Sequence, residues 1–241
     1  MKQAVMLVSV GEGPGLRRLT DVLADSLPDV PVRRVRLGSS AADGAAELRQ
    51  AVKHLRAEGV DGLTVQPLLL LPGREYDRLR AEVMHWQGDL KWLRVGLPLL
   101  ACGEDVRRLA LALAQWYAPG EGSVLLVGHG TAHPAGRFYD RIQRELMQLG
   151  RKDMKVALLH GGPGPEQLRP MLGGTVRLAP LMLEAGRHTA GDLAGEHPAS
   201  WCARLAAAGC RAECCLHGLA EVPEVQVMFS EKLEAVMKEQ R

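Results

Sequence analysis

The chain has 241 residues, of which 46% are hydrophobic and 24% charged, and a formal net charge of +2. That balance belongs to a folded globular protein and excludes a disordered one. Aromatic residues are only 4% of the chain, too few for a series of base-stacking platforms, and the charge is too small for a nucleic-acid footprint. The length suits one large domain or two of about 120 residues.

The first apolar run, residues 4–10, is followed by glycines and by Arg17-Arg18. It lacks a small-residue cleavage site, so it reads as a buried strand and not as a signal peptide. No apolar run approaches the roughly 18 residues that a membrane-spanning helix needs. Further strand patterns fall at 32–37, 62–71, 92–97, 124–127, 155–159, 175–183 and 211–216. Helical patterns lie between them at 15–27, 44–58, 74–85, 104–116, 135–149, 166–171, 201–208 and 224–238. Strands alternating with helices predict an α/β fold with parallel sheets, whose inner strands are apolar on both faces. Arg33, Arg34 and Arg36 mark 32–37 as an edge strand that discourages pairing with other chains. The breakers Pro119-Gly120-Glu121-Gly122 divide the chain into halves 1–119 and 120–241.

The halves repeat. Residues 4–11 (AVMLVSVG) align with 123–130 (SVLLVGHG) at an offset of 119, and residues 67–75 (PLLLLPGRE) align with 180–188 (PLMLEAGRH) at an offset of 113. Two similar segments in the same order predict two parallel-sheet α/β halves with a cleft between them.

Five cysteines, Cys102, Cys202, Cys210, Cys214 and Cys215, form an odd set with no C-x-x-C pair. They suit reduced, buried thiols of a cytoplasmic chain better than a metal site.

In parallel α/β sheets ligands gather beyond the carboxyl ends of the strands. His129 follows the strand at 124–127 between two glycines, and His188 follows the strand at 175–183. In the first half Glu75 aligns with His188, and Val10 with His129. Two imidazoles on one wall of a cleft and a carboxylate on the other suit a borderline divalent metal such as Co, Ni, Fe or Zn. Each has a plainer reading: a tight turn for His129, a surface histidine for His188 and a helix-dipole acid for Glu75. His133 precedes Pro134, so it caps or precedes a helix and does not share a helical face with His129. Nucleotide and hydrolase motifs are absent: G-x-G-x-x-G fails at Leu16 and at Gln167, and neither G-x-x-x-x-G-K-[ST] nor G-x-S-x-G occurs.

Three segments together resemble a known family. They are Val127-Gly128-His129-Gly130-Thr131-Ala132-His133-Pro134, Ala179-Pro180-Leu181-Met182-Leu183 through Ala185-Gly186-Arg187-His188, and Pro72-Gly73-Arg74-Glu75-Tyr76. They are similar to the anaerobic sirohydrochlorin cobaltochelatases, class II tetrapyrrole chelatases related in fold to ferrochelatases. The resemblance extends over nearly the whole chain, including Val65-Gln66 and the stretch 192–201. It implies a tetrapyrrole held between two α/β halves and a metal held by two histidines and a glutamate, which match His129, His188 and Glu75. The sequence departs from the family pattern at Val10 and Glu12, at Arg187, at Gly191, and at Ala220 and Val222.

The expected activity is ATP-independent insertion of a divalent metal into sirohydrochlorin, with Co2+ foremost and Fe2+ or Ni2+ as alternatives. No cofactor is expected beyond the substrate metal. Arg74 and Arg187 are candidates to pair with the carboxylates of the macrocycle. The partners are then a small tetrapyrrole and a metal ion, with neither nucleic acid nor membrane, and a homo-oligomer is compatible. Two competing readings are a zinc hydrolase using His129, His133, His188 and Glu75, and a non-catalytic tetrapyrrole or metal carrier on the same fold.

Overall fold

The structure is a computed structural model that describes residues 2–38, 41–120 and 122–238, apart from the side chains of residues 41–45 and 187–189. It has two compact units: residues 1–101 with 225–241, and residues 102–224. Their strands fall on the two sides of the sequence repeat, but two helices do not follow the halves 1–119 and 120–241. The helix before the Pro-Gly breaker belongs to the second unit, and the last helix returns to the first.

The first unit runs β1 (Gln3–Ser9), α1 (Pro14–Asp25), β2 (Val32–Arg36), α2 (Ala41–Ala57), β3 (Gly62–Leu68), α3 (Arg74–Met84) and β4 (Trp92–Val95). All strand pairs are parallel, in the order β2-β1-β3-β4. Alternation decides the faces: Ala4, Met6 and Val8 of β1 pack with Leu63 and Val65 of β3 under Leu48, Val52 and Leu55 of α2 and Leu79 and Val83 of α3. Val5 and Leu7 on the opposite face are also fully buried, as a sheet covered on both sides requires. The arginine-rich β2 is an edge strand as expected, with Arg33 paired to Glu58 at 2.7 Å and Arg34 to Asp21.

The second unit runs α4 (Gly103–Trp116), β5 (Ser123–Gly128), a 3-10 turn (Pro134–Gly136), α5 (Arg137–Gln148), β6 (Met154–Leu158), α6 (Pro165–Leu168), β7 (Thr175–Pro180), α7 (Arg187–Ala194), α8 (Trp201–Ala207) and β8 (Arg211–Cys214). Its parallel order, β6-β5-β7-β8, repeats that of the first sheet. Leu125, Val127, Val176 and Leu178 pack with Leu193 of α7 and with Trp201 and Leu205 of α8. The last helix, α9 (Pro223–Lys238), lies in the first unit from Val225 onward, where the Met237 carbonyl accepts from Arg94 at 3.4 Å.

The repeat seen in the sequence is also the register of the sheets. Val8 pairs with Pro67 in the first sheet and Val127 with Pro180 in the second. These prolines explain why β4 and β8 end two residues before their apolar runs do. Gly96 N–H donates to Val65 O at 2.8 Å, and Cys215 N–H donates to Leu178 O at 2.8 Å. The next ladder bond would come from the amide of residue 67 or 180, and proline has none. The outer strand therefore turns away at the same point in both sheets.

One helix was not foreseen. The glycine-rich stretch 186–195 carries none of the helical patterns in the sequence, yet Arg187–Ala194 is helical, with Gly186 as its extended N-cap. Packing of Leu193 into the core outweighs the low helix propensity of Gly191. Among the described residues no helix is long and apolar enough to cross a membrane.

Candidate metal-binding site

In the second unit the chemistry-bearing residues lie in the loops that leave the carboxyl ends of the strands. β5 ends at Gly128, and His129 follows on an exposed turn. Gly128 has no room for a side chain, because a Cβ there would stand 2.4 Å from the ring of buried Tyr139. Gly130 has φ 85°, and a Cβ on it would lie 2.1 Å from the His160 carbonyl. The two glycines thus hold His129 at the head of a loop pressed against the end of the neighbouring strand.

That strand is β6. Leu159 N–H donates to Gly128 O at 2.8 Å, and His160 N–H donates to His129 O at 3.1 Å. The two imidazoles meet edge to face, with centroids 4.9 Å apart and planes at 63°. His129 Nδ1 is 3.3 Å from the Gly130 carbonyl. A proton on Nδ1 directed there leaves the Nε2 lone pair for a cation, the usual arrangement for a ligating histidine. His160 lies outside both repeated segments of the sequence. Its signal was an imidazole followed by Gly161-Gly162 at a strand end, a near copy of the setting of His129.

His133 does what its proline neighbour implied. It N-caps the 3-10 turn, and its Nδ1 accepts from Ala135 N–H at 3.1 Å.

The structure places Glu75 and His188 alike. Gly73 and Gly186 are extended N-caps, Arg74 and Arg187 open α3 and α7, and Glu75 and His188 are the second residues of those helices. The side chains of Arg187 and His188 lie outside the described residues. Glu75 and Arg74 are exposed, in the first unit. The start of α3 is anchored by two bonds: Tyr76 Oη donates to Gly96 O at 3.2 Å, and Arg78 donates to Gly38 O at 2.9 Å. Gly96 O is the carbonyl that the missing amide of Pro67 would otherwise engage. Gln66, fully buried, ties down the same loop through a 2.9 Å bond from Nε2 to Leu97 O. Among the described residues no three His, Cys, Asp or Glu side chains gather as a metal-binding group, and the side chain of His188 is not in that set.

The profile of the Cobalt chelatase (CbiK) family matches residues 44–238. The sirohydrochlorin cobaltochelatase CbiKC of Nitratidesulfovibrio vulgaris strain Hildenborough is 32% identical over 242 residues, covering 91% of this chain and 85% of its own. The sirohydrochlorin cobaltochelatase of Salmonella typhimurium strain LT2 is 33% identical over 186 residues, covering 75% of this chain and 70% of its own. Among solved structures, SirB from Bacillus subtilis with Fe3+ covers 100% of this chain and 98% of its own with a TM-score of 0.70, a likeness of fold at 18% identity.

Proposed function

Because the chain belongs to the cobalt chelatase family, we propose that it inserts a divalent metal, Co2+ foremost, into sirohydrochlorin without ATP. The observation that carries this reading is the match over residues 44–238, within which the Gly128-His129-Gly130 loop presents an exposed imidazole at a strand end. The reaction takes a metal ion and a macrocycle with two pyrrole N–H groups, and yields the metallated ring and two protons. Neutral imidazole can give its lone pair to the metal and, once released, accept a proton near neutral pH. His129 is assigned as the principal ligand and base, His188 as the second ligand, and Glu75 as the carboxylate that offsets the metal charge and takes the other proton. Arg74 and Arg187 pair with substrate carboxylates. A second reading of the third donor has one contact in its favour: His160, 4.9 Å from His129 ring to ring, supplies it in place of Glu75. The protein then works in the cytoplasm on a small tetrapyrrole and a metal ion, with no cofactor besides that ion.

The test is anaerobic mixing of sirohydrochlorin with Co2+, Fe2+ or Ni2+, followed by absorbance, with protein at catalytic amounts. Metallation faster than in the metal-only control supports the reading. No acceleration with any metal ends it, and binding of one equivalent without turnover would make the protein a carrier. Zinc retained stoichiometrically through purification would favour a hydrolase.

A further inference from the structure

The cysteine group near the end of the second unit is not a uniform set of buried thiols. Cys202 on α8 and Cys214 on β8 place their sulfurs 2.7 Å apart, with Cys214 as donor and Cys202 as acceptor. The other cysteines of the group face elsewhere. Cys210 is buried with its sulfur 3.9 Å from Gly173 O, and Cys215 follows Cys214 at the end of the strand, beside Tyr117. Cys214 Sγ also lies 4.0 Å from the carbonyl of Leu193, in α7, the helix that begins Arg187-His188. Both sulfurs are half-buried, so a small oxidant has access to them.

We propose that Cys202 and Cys214 are an oxidisable dithiol whose disulfide ties α8 to β8 and withdraws the Cys214 thiol from α7. The proposal does not rest on the chelatase reading. The oxidant is a small-molecule disulfide. The Cys202 thiolate attacks one of its sulfurs and expels one thiolate, leaving a mixed disulfide on Cys202. Cys214 then loses its proton, attacks the Cys202 sulfur and expels the second thiolate. One S–S bond forms in the protein and one is broken in the oxidant, and the two cysteine protons go to the two thiolates released. The order of attack follows from the environment. Burial, together with the bond to Cys202, pushes the Cys214 thiol up to about 12, so Cys214 keeps its proton and donates it to the Cys202 sulfur.

The experiment uses the full chain, reduced and then equilibrated with oxidised glutathione. The thiol count in denaturant should fall by two, and non-reducing peptide mapping should join the peptides that contain Cys202 and Cys214. In Cys214→Ser the cross-link should be absent, with glutathione held on Cys202. Amide exchange across residues 187–195 should differ between the oxidised and reduced wild type and should not respond to oxidant in Cys202→Ser. Five titratable thiols after oxidation, or a link that involves Cys102, Cys210 or Cys215, overturns the proposal. Unchanged exchange in α7 on formation of the expected link overturns its coupling to that helix. The mapping is done on the wild type, so the result does not depend on a variant that fails to fold.

Discussion

The hydroxyl of Tyr76 donates to the carbonyl of Gly96 at 3.2 Å, at the point where Pro67 has no amide to offer. A break in one ladder thus becomes the anchor for the first turn of α3. Tyr76→Phe removes the donor from a buried acceptor and should cost about 1–2 kcal/mol in urea unfolding. Pro67→Ala supplies an amide facing the same carbonyl, so it should hurt less in the Tyr76→Phe background than alone. A double-mutant cycle should show a coupling above about 0.5 kcal/mol; additive effects would mean that the amide and the hydroxyl do not compete for Gly96.

His129 and His160 share a ring contact, and substitution separates their roles. His129→Ala should lower the metal-insertion rate by about 10- to 100-fold or more, the lower bound being the scale of losing a ligand's orienting partner. Comparing Glu75→Gln with His160→Ala decides which supplies the third donor. The donor's variant should fall about 10-fold or more in metal affinity, measured by Co2+ titration, while the other stays close to wild type.

Gly130 combines a left-handed backbone with a carbonyl 2.1 Å from where a Cβ would sit. Gly130→Ala should therefore destabilise the second unit by about 2–3 kcal/mol, and the displaced loop should slow metal insertion even in molecules that fold. Wild-type stability and rate would show that the loop relaxes freely.

Arg151 is buried and grips Asp153 with two bonds, of 2.9 and 2.7 Å, while also donating to Ala114 O. The Arg151 guanidinium holds the Asp153 carboxyl below the usual range. A depressed carboxylate contributes stability that is fully present above its unfolded value of ~3.9 and is lost as pH falls through the folded value. Asp153→Asn should flatten that acid limb of the stability curve. Arg151→Met should cost roughly 2–3 kcal/mol near neutrality by leaving Asp153 without its partner. Thermal melts between pH 2 and pH 7 check both, and an acid limb that survives in Asp153→Asn would assign it to other groups.

Strands were legible because parallel strands covered on both faces write themselves as apolar runs: 4–10 and 62–71 needed no tertiary information. Their ends were not legible. Leu97 and Leu216 continue the apolar pattern of β4 and β8, and only the facing proline, distant in sequence, cuts the ladder before them. Helix α7 was hidden for a similar reason, since the burial of Leu193 against residues far along the chain overrides a local glycine signal. Glu75 and His188 could be matched because the repeat preserves their place as second residue of a helix. His160 has no counterpart in either aligned segment; its glycine flank at a strand end is a weak local signal, and the bond from its amide to His129 O, with the ring contact, sets it beside His129.

The return of α9 to the first unit fixes an order of events during synthesis. Residues 1–101 emerge first but lack the helix that begins at Val225 in that unit. The intervening unit, 102–224, carries all of its own segments and can close while the earlier one waits. A nascent chain stopped before residue 225 would hold a finished inner unit behind an unfinished outer one. Of the two units, the one whose residues are made first is therefore the last to have all of its segments.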